Sequence, residues 1–146
     1  MHVAAWQPAR ASSYFLTGMP LDINVHQSIS GQNFGMITVT LAGTLDGATS
    51  PELEQRLAQA ISLSAKHVVF DLAELKFISS AGLRIFATTR KTLKERGGQV
   101  SFVHMQPQIQ EVFEIIKALP GVAVFKDMAE FDRYLAARQR SHTERQ

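Results

Sequence analysis

The chain predicts an α/β fold: a mixed, mostly parallel sheet entered through an N-terminal antiparallel hairpin and carrying about four helices. Three observations predict it. Segments of period two alternate with segments of helical period in the order ββαβαβαβα. The connections between them are short, as in strand–helix–strand units with right-handed crossovers. The opening pair of strands is joined without a helix, so that pair is expected to be antiparallel.

The elements follow in order. Residues 1–20 sustain neither period; Trp6, Tyr14, Phe15 and Leu16 are their large apolar groups, and the segment is expected to be a flexible extension. Leu21–His26 alternates apolar and polar residues, Ser30–Asn33 reads as a turn, and Phe34–Leu41 alternates again. Gly43–Pro51 leads into a helix, with Ser50 as cap and Pro51 in the first turn, or with Thr49 and Glu52 as a capping box. Leu53, Leu57, Ala60, Ile61 and Ser64 form its apolar stripe. The apolar run at 67–72 is expected to be a central strand covered on both faces. A second helix begins at Ser80 or Ala81, turns Leu83, Phe86, Ala87 and Leu93 inward, and ends at Gly97-Gly98. Gln99–His104 is a strand and Gln108–Lys117 a helix with Ile109, Val112, Phe113 and Ile116 on one face. Val122–Phe125 reads as a brief last strand. Asp127 and Glu130 cap a final helix lined by Met128, Phe131 and Leu135. Residues 21–137 are thus expected to form one domain, followed by a polar tail at 138–146 that frays.

Composition narrows the function classes. A chain of 146 residues, 45% hydrophobic and 19% charged, is ordinary globular composition. Fifteen basic against thirteen acidic residues leave +2, with no Lys/Arg block interleaved with aromatics, so direct nucleic-acid binding is not expected. The absence of cysteine removes disulfides, thiolate metal sites and cysteine nucleophiles, and it fits a reducing cytoplasm. No apolar run approaches the roughly 20 residues that span a bilayer, and Met1–Pro20 lacks the pattern of a secretory signal. A cytoplasmic protein without membrane insertion is expected.

Chemistry is sparse. His2, His26, His67, His104 and His142 show no helical i, i+4 pairing, and the carboxylates do not cluster, so no metal or cofactor is expected. Asp71 closes a strand and is expected to bond the amides that follow it. Ile78–Gly82 is not a G-x-S-x-G elbow, and no histidine is placed to activate Ser80. The expectation is a protein that is not an enzyme. What remains is a surface: the loops Gly43–Ser50 and Ala73–Ser80 leave adjacent strands at one edge of the sheet. That edge is expected to present Asp46, Thr49, Ser79, Ser80 and the exposed start of the second helix. A serine there caps the helix, or carries a phosphate that the helix end receives well.

Two stretches carry a family resemblance. Gly43-Thr44-Leu45-Asp46-Gly47-Ala48-Thr49-Ser50-Pro51-Glu52-Leu53 resembles the G-x-L-D-x-x-T-x-x-x-L signature of the STAS domain. Phe70-Asp71-Leu72 followed by Phe77-Ile78-Ser79-Ser80-Ala81-Gly82-Leu83 resembles its D-L-(x)-F-I-D-S-S-G-L signature. The resemblance covers about residues 21–137 and implies an anti-sigma factor antagonist that works by partner switching. Unphosphorylated, such a domain captures an anti-sigma factor that is also a serine kinase; phosphorylation releases it, and a PP2C-type phosphatase resets it. By position Ser80 is the phosphoacceptor, and Asp46, Thr49, Ser79, Ala81, Gly82 and Arg84 contact the partner. Ser79 stands where the family usually has Asp, which removes a charge beside the acceptor. The alternative is a STAS subunit of a membrane complex for lipid or anion transport, with Ser80 structural.

Overall fold

The structure is a computed structural model that describes residues 20–28, 35–61, 65–118 and 127–144. Strand β1 (Leu21–Gln27) pairs antiparallel with β2 (Met36–Leu45), placing Ile23 opposite Leu41 and Val25 opposite Val39. β2 runs parallel to β3 (His67–Ile78), and β3 parallel to β4 (Gln99–Val103), giving the order β1-β2-β3-β4. The helices among the described residues are α1 (Ser50–Ala60), α2 (Ser80–Glu95), α3 (Pro107–Ala118) and α4 (Met128–Glu144). The mixed sheet with one antiparallel edge and four helices is the predicted class. Residues 1–19 of the extension expected at 1–20, the turn at Ser30–Asn33, Ser64 and the strand expected at Val122–Phe125 lie outside the described residues.

Three expectations are corrected. β3 does not end at Leu72 but continues to Ile78, through most of the stretch expected as the loop Ala73–Ser80. It can do so because β2 keeps pace, passing register shifts at Thr40/Ala42 and Gly43/Thr44 and still pairing Leu45 with Ile78. Nor, among the described residues, is β3 covered equally on its two faces. Val68, Phe70 and Leu72 are fully buried, whereas His67, Val69 and Asp71 between them are only half-buried. A strand with one face turned to the core and the other only partly covered explains that alternation. Finally, the segment expected to fray from Arg138 is helical to Glu144.

That last helix is held by particular contacts. Phe131 and Leu135 are buried in the core, and Arg138 pairs with Glu111 of α3 across 2.6 Å. Gln139, 2% exposed, takes the Ile78 N–H on Oε1 at 2.8 Å and donates Nε2 to the Ile78 carbonyl at 2.7 Å. One amide side chain thus completes the backbone pairing at the end of β3. Gln139→Ala would leave both groups buried without it, and is expected to cost about 2–4 kcal/mol in chemical denaturation. On the buried face Phe70, Phe86, Phe102 and Phe113 form a chain of ring contacts, with Phe70–Phe86 centroids 4.7 Å apart and Phe102–Phe113 5.0 Å. These rings fix α2 and α3 against β3 and β4.

Candidate functional site

The site is built where β2 and β3 end side by side. The Ser79 N–H donates to the Leu45 carbonyl at 2.9 Å, which ties the start of α2 to the turn that precedes α1. Asp46 and Ser79–Ser80 therefore share one rim of the sheet, as the motif positions require.

Asp46 organises its own turn. Its Oδ1 accepts the Ala48 and Thr49 N–H groups at 3.0 and 3.1 Å, while Thr49 Oγ1 accepts the Asp46 N–H at 3.0 Å. Thr49 Oγ1 also donates to the Thr44 carbonyl at 2.8 Å. The spacing of Asp46 and Thr49 in the motif is thereby explained as a closed loop of hydrogen bonds. Thr49 is the residue preceding α1, but its hydroxyl is spent on this turn, and no side-chain cap bond reaches the helix. Neither the Thr49–Glu52 box nor a Ser50 cap forms; Ser50 lies inside the helix and donates its hydroxyl to the Asp46 carbonyl.

Gly43 enters the same turn with φ +110°, and a Cβ there would stand 2.2 Å from the Pro20 carbonyl oxygen. Gly82, on the first turn of α2, is buried against Leu45 and Ile78; a Cβ would meet Leu45 Cγ at 2.6 Å. Both motif glycines serve close packing at the rim.

Ser79 caps α2 by accepting the Ala81 N–H at 3.2 Å. Ser80 is the first residue of the helix, and its surroundings depart from expectation. Its N–H donates to Asp132 Oδ1 at 2.8 Å and its hydroxyl to Asp132 Oδ2 at 2.9 Å. Asp132 belongs to α4, so the carboxylate that closes this helix end comes from far along the chain. The expected exposed edge is accordingly corrected: Thr49, Ser79 and Ser80 are 6%, 8% and 6% exposed, and Gly82 is buried as well. Gly47, Ala48 and Arg84 are exposed, and Asp46 and Ala81 are half-exposed. A cleft of about 220 Å³ between α1 and α2 is lined by Gly47, Pro51, Glu54, Ala81, Arg84 and Thr88, so the accessible surface runs along Arg84 rather than over Thr49.

Asp132 was not legible as a site residue, since it sits at an ordinary polar position of an amphipathic helix. Elsewhere, Asp71 Oδ1 accepts the Ala73 N–H at 3.2 Å, as expected, and also pairs with His104 Nδ1 at 3.1 Å. A serine–histidine pair does occur, between His67 Nε2 and Ser101 Oγ at 2.8 Å, but it joins β3 to β4 and leaves Ser80 to Asp132. Among the described residues no three His, Asp or Glu side chains gather to hold a metal ion, and no helix is long and apolar enough to cross a membrane.

The fold and the two motifs define a STAS domain: residues 22–131 match that family, and the chain belongs to it. BtrV of Bordetella bronchiseptica, named as a candidate anti-sigma factor antagonist, is 37% identical over 81 residues, covering 56% of this chain and 70% of that protein. An anti-sigma F factor antagonist of Paenibacillus polymyxa is 26% identical over 104 residues, covering 70% of this chain and 84% of its own. The anti-sigma factor antagonist SpoIIAA, solved in its unphosphorylated form, shares the fold with a TM-score of 0.53 at 14% identity, covering 64% of this chain and 83% of that one.

Proposed function

We propose that this chain is an anti-sigma factor antagonist that works by partner switching and has no catalytic activity of its own. Its unphosphorylated form captures an anti-sigma factor that is also a serine kinase, which frees a sigma factor for transcription in the cytoplasm. The kinase then transfers the γ-phosphoryl group of ATP to Ser80. An O–P bond forms at Oγ, the bond from the γ-phosphorus to the bridging oxygen of ADP breaks, and the hydroxyl proton passes to a kinase base. A PP2C-type phosphatase restores the hydroxyl.

The observation that carries this reading is the shared rim. The Asp46 turn, the start of α2 with Ser80, and Arg84 on the cleft beside them lie together because Leu45 and Ile78 are paired. The names of the related proteins support the same role. A partner surface there includes Asp46, Ala81 and Arg84 directly, while Thr49, Ser79 and Gly82 act from beneath by holding its shape.

Purification of the tagged chain from its own cells, with mass spectrometry of what accompanies it, tests the assignment. Recovery of an anti-sigma kinase, lost when Arg84 and Asp46 are replaced by alanine, is expected. Recovery of a permease or a lipid-transport complex instead would overturn it in favour of a transport subunit.

A further inference from the structure

We propose that α4 is a lid over the phosphoacceptor, latched by Asp132 and displaced by the phosphate itself. The inference rests on the reading of Ser80 as phosphoacceptor, and extends it to how the modification is felt by the rest of the chain.

The latch is specific. Asp132 accepts both polar hydrogens of Ser80, from the backbone and from the hydroxyl, with one oxygen for each. About two helical turns later Gln139 grips the backbone of Ile78 with both ends of its amide. Phe131 and Leu135, both buried, seat the helix alongside these contacts. The result is a Ser80 that is 6% exposed, under a helix whose docking ends on the very oxygen to be modified.

A carboxylate at this position does what an anion does at any helix start: it accepts a free N–H and lies at the positive end of the dipole. Asp132 thus already occupies the place where a phosphate on Ser80 is best received. The two anions compete for it. Esterification removes the hydroxyl hydrogen that Asp132 accepts, and sets about −1.5 to −2 charges beside a carboxylate that stood 2.9 Å from that oxygen. Phosphorylation therefore exchanges an internal acidic cap for a covalent one. The N-terminal half of α4 must swing out, while Gln139, held on Ile78, gives it a point to pivot on. The same contact acts in the unmodified chain as a restraint, because a kinase reaches Ser80 only when Asp132 has moved.

Hydrogen exchange with mass spectrometry tests this on the full chain, with phosphoserine installed at position 80 during translation so that no kinase is needed. Peptides within Met128–Glu144 are expected to exchange about tenfold faster in the phosphoserine chain, with the strands unchanged. Asp132→Asn, which removes the charge and keeps an amide in its place, should return that exchange to within about twofold of the unmodified protein. Unchanged exchange in α4, or fast exchange that persists with Asp132→Asn, would overturn the lid. If the phosphoserine chain fails to fold, Asp132→Ala in the unmodified chain decides the matter: faster exchange confined to α4 supports the latch, and an unaltered α4 refutes it. Because the phosphate is supplied genetically, these outcomes stand apart from whether a kinase uses Ser80, which the site of phosphate in a kinase reaction reports separately.

Discussion

Phosphoserine at position 80 is expected to lower affinity for the anti-sigma partner by about 10³–10⁴-fold, measured by titration calorimetry against the unmodified chain. Reversing a complex from 99:1 to 1:99 requires about 5.5 kcal/mol, or roughly 10⁴ in relative affinity. A phosphate brings about −1.5 to −2 charges. Two unit charges about 4 Å apart at a protein surface interact by about 4 kcal/mol, so one carboxylate of the partner near Ser80 supplies most of the requirement. The position of Ser80, next to the Asp46 turn and one turn before Arg84, puts that charge within the proposed contact surface. Ser80→Asp carries less charge and a shorter reach, and should weaken binding by only about 10–100-fold. Taken alone, the start of a helix receives a negative charge well, so little loss of stability would follow. Asp132 alters that expectation, because a carboxylate at residue 80 would face another and lose the 2.9 Å hydroxyl bond. A loss of about 1–3 kcal/mol is predicted for Ser80→Asp, recovered in large part by Asp132→Asn.

Gly43→Ala is expected to destabilise the domain by about 2–5 kcal/mol, a large part of the 5–15 kcal/mol that holds a typical domain together. The backbone at Gly43 has φ +110°, which L side chains rarely adopt, and the added methyl would stand 2.2 Å from the Pro20 carbonyl. That carbonyl accepts the Thr44 N–H at 3.3 Å, so moving it away breaks the edge pairing of β1. A melting temperature lower by about 5–15 °C is predicted for a domain of this size. Gly47→Ala is the control: nothing lies within 4 Å of a Cβ there, the residue is exposed, and the melting temperature should hardly change. Gly43 opens the first motif because the turn needs its backbone, whereas Gly47 is open space.

How much of this could be read in the chain differs from element to element. The hairpin and the α1, α2 and α3 helices were legible because each carries a local period: Ile23, Val25, Val39 and Leu41 alternate, and Leu53 with Leu57, or Ile109 with Val112, recur at helical spacing. The extension of β3 to Ile78 was not. Glu74 and Lys76 look like a bend when taken alone, and only the paired strand Ala42–Leu45 makes them part of a ladder. The half-open face of the sheet was likewise hidden, since Val69 among Val68, Phe70 and Leu72 reads as a continuous apolar run. In the site, the Asp46–Thr49 turn and the Ser79 cap are local, and their residue types announce them. The latch on Ser80 joins residues 52 positions apart, and nothing in the local pattern around Asp132 distinguishes it from its exposed neighbour Arg133. Local chemistry was visible; tertiary capping was not.

In the proposed switch, the Ser80 hydroxyl decides which partner is held. The most direct test is site mapping by mass spectrometry after incubating the chain with its anti-sigma kinase and ATP, beside Ser80→Ala. One phosphate, found on Ser80 and absent from the alanine variant, is the predicted result. Phosphate mapped to Ser79 or elsewhere, or persisting in Ser80→Ala, would contradict it.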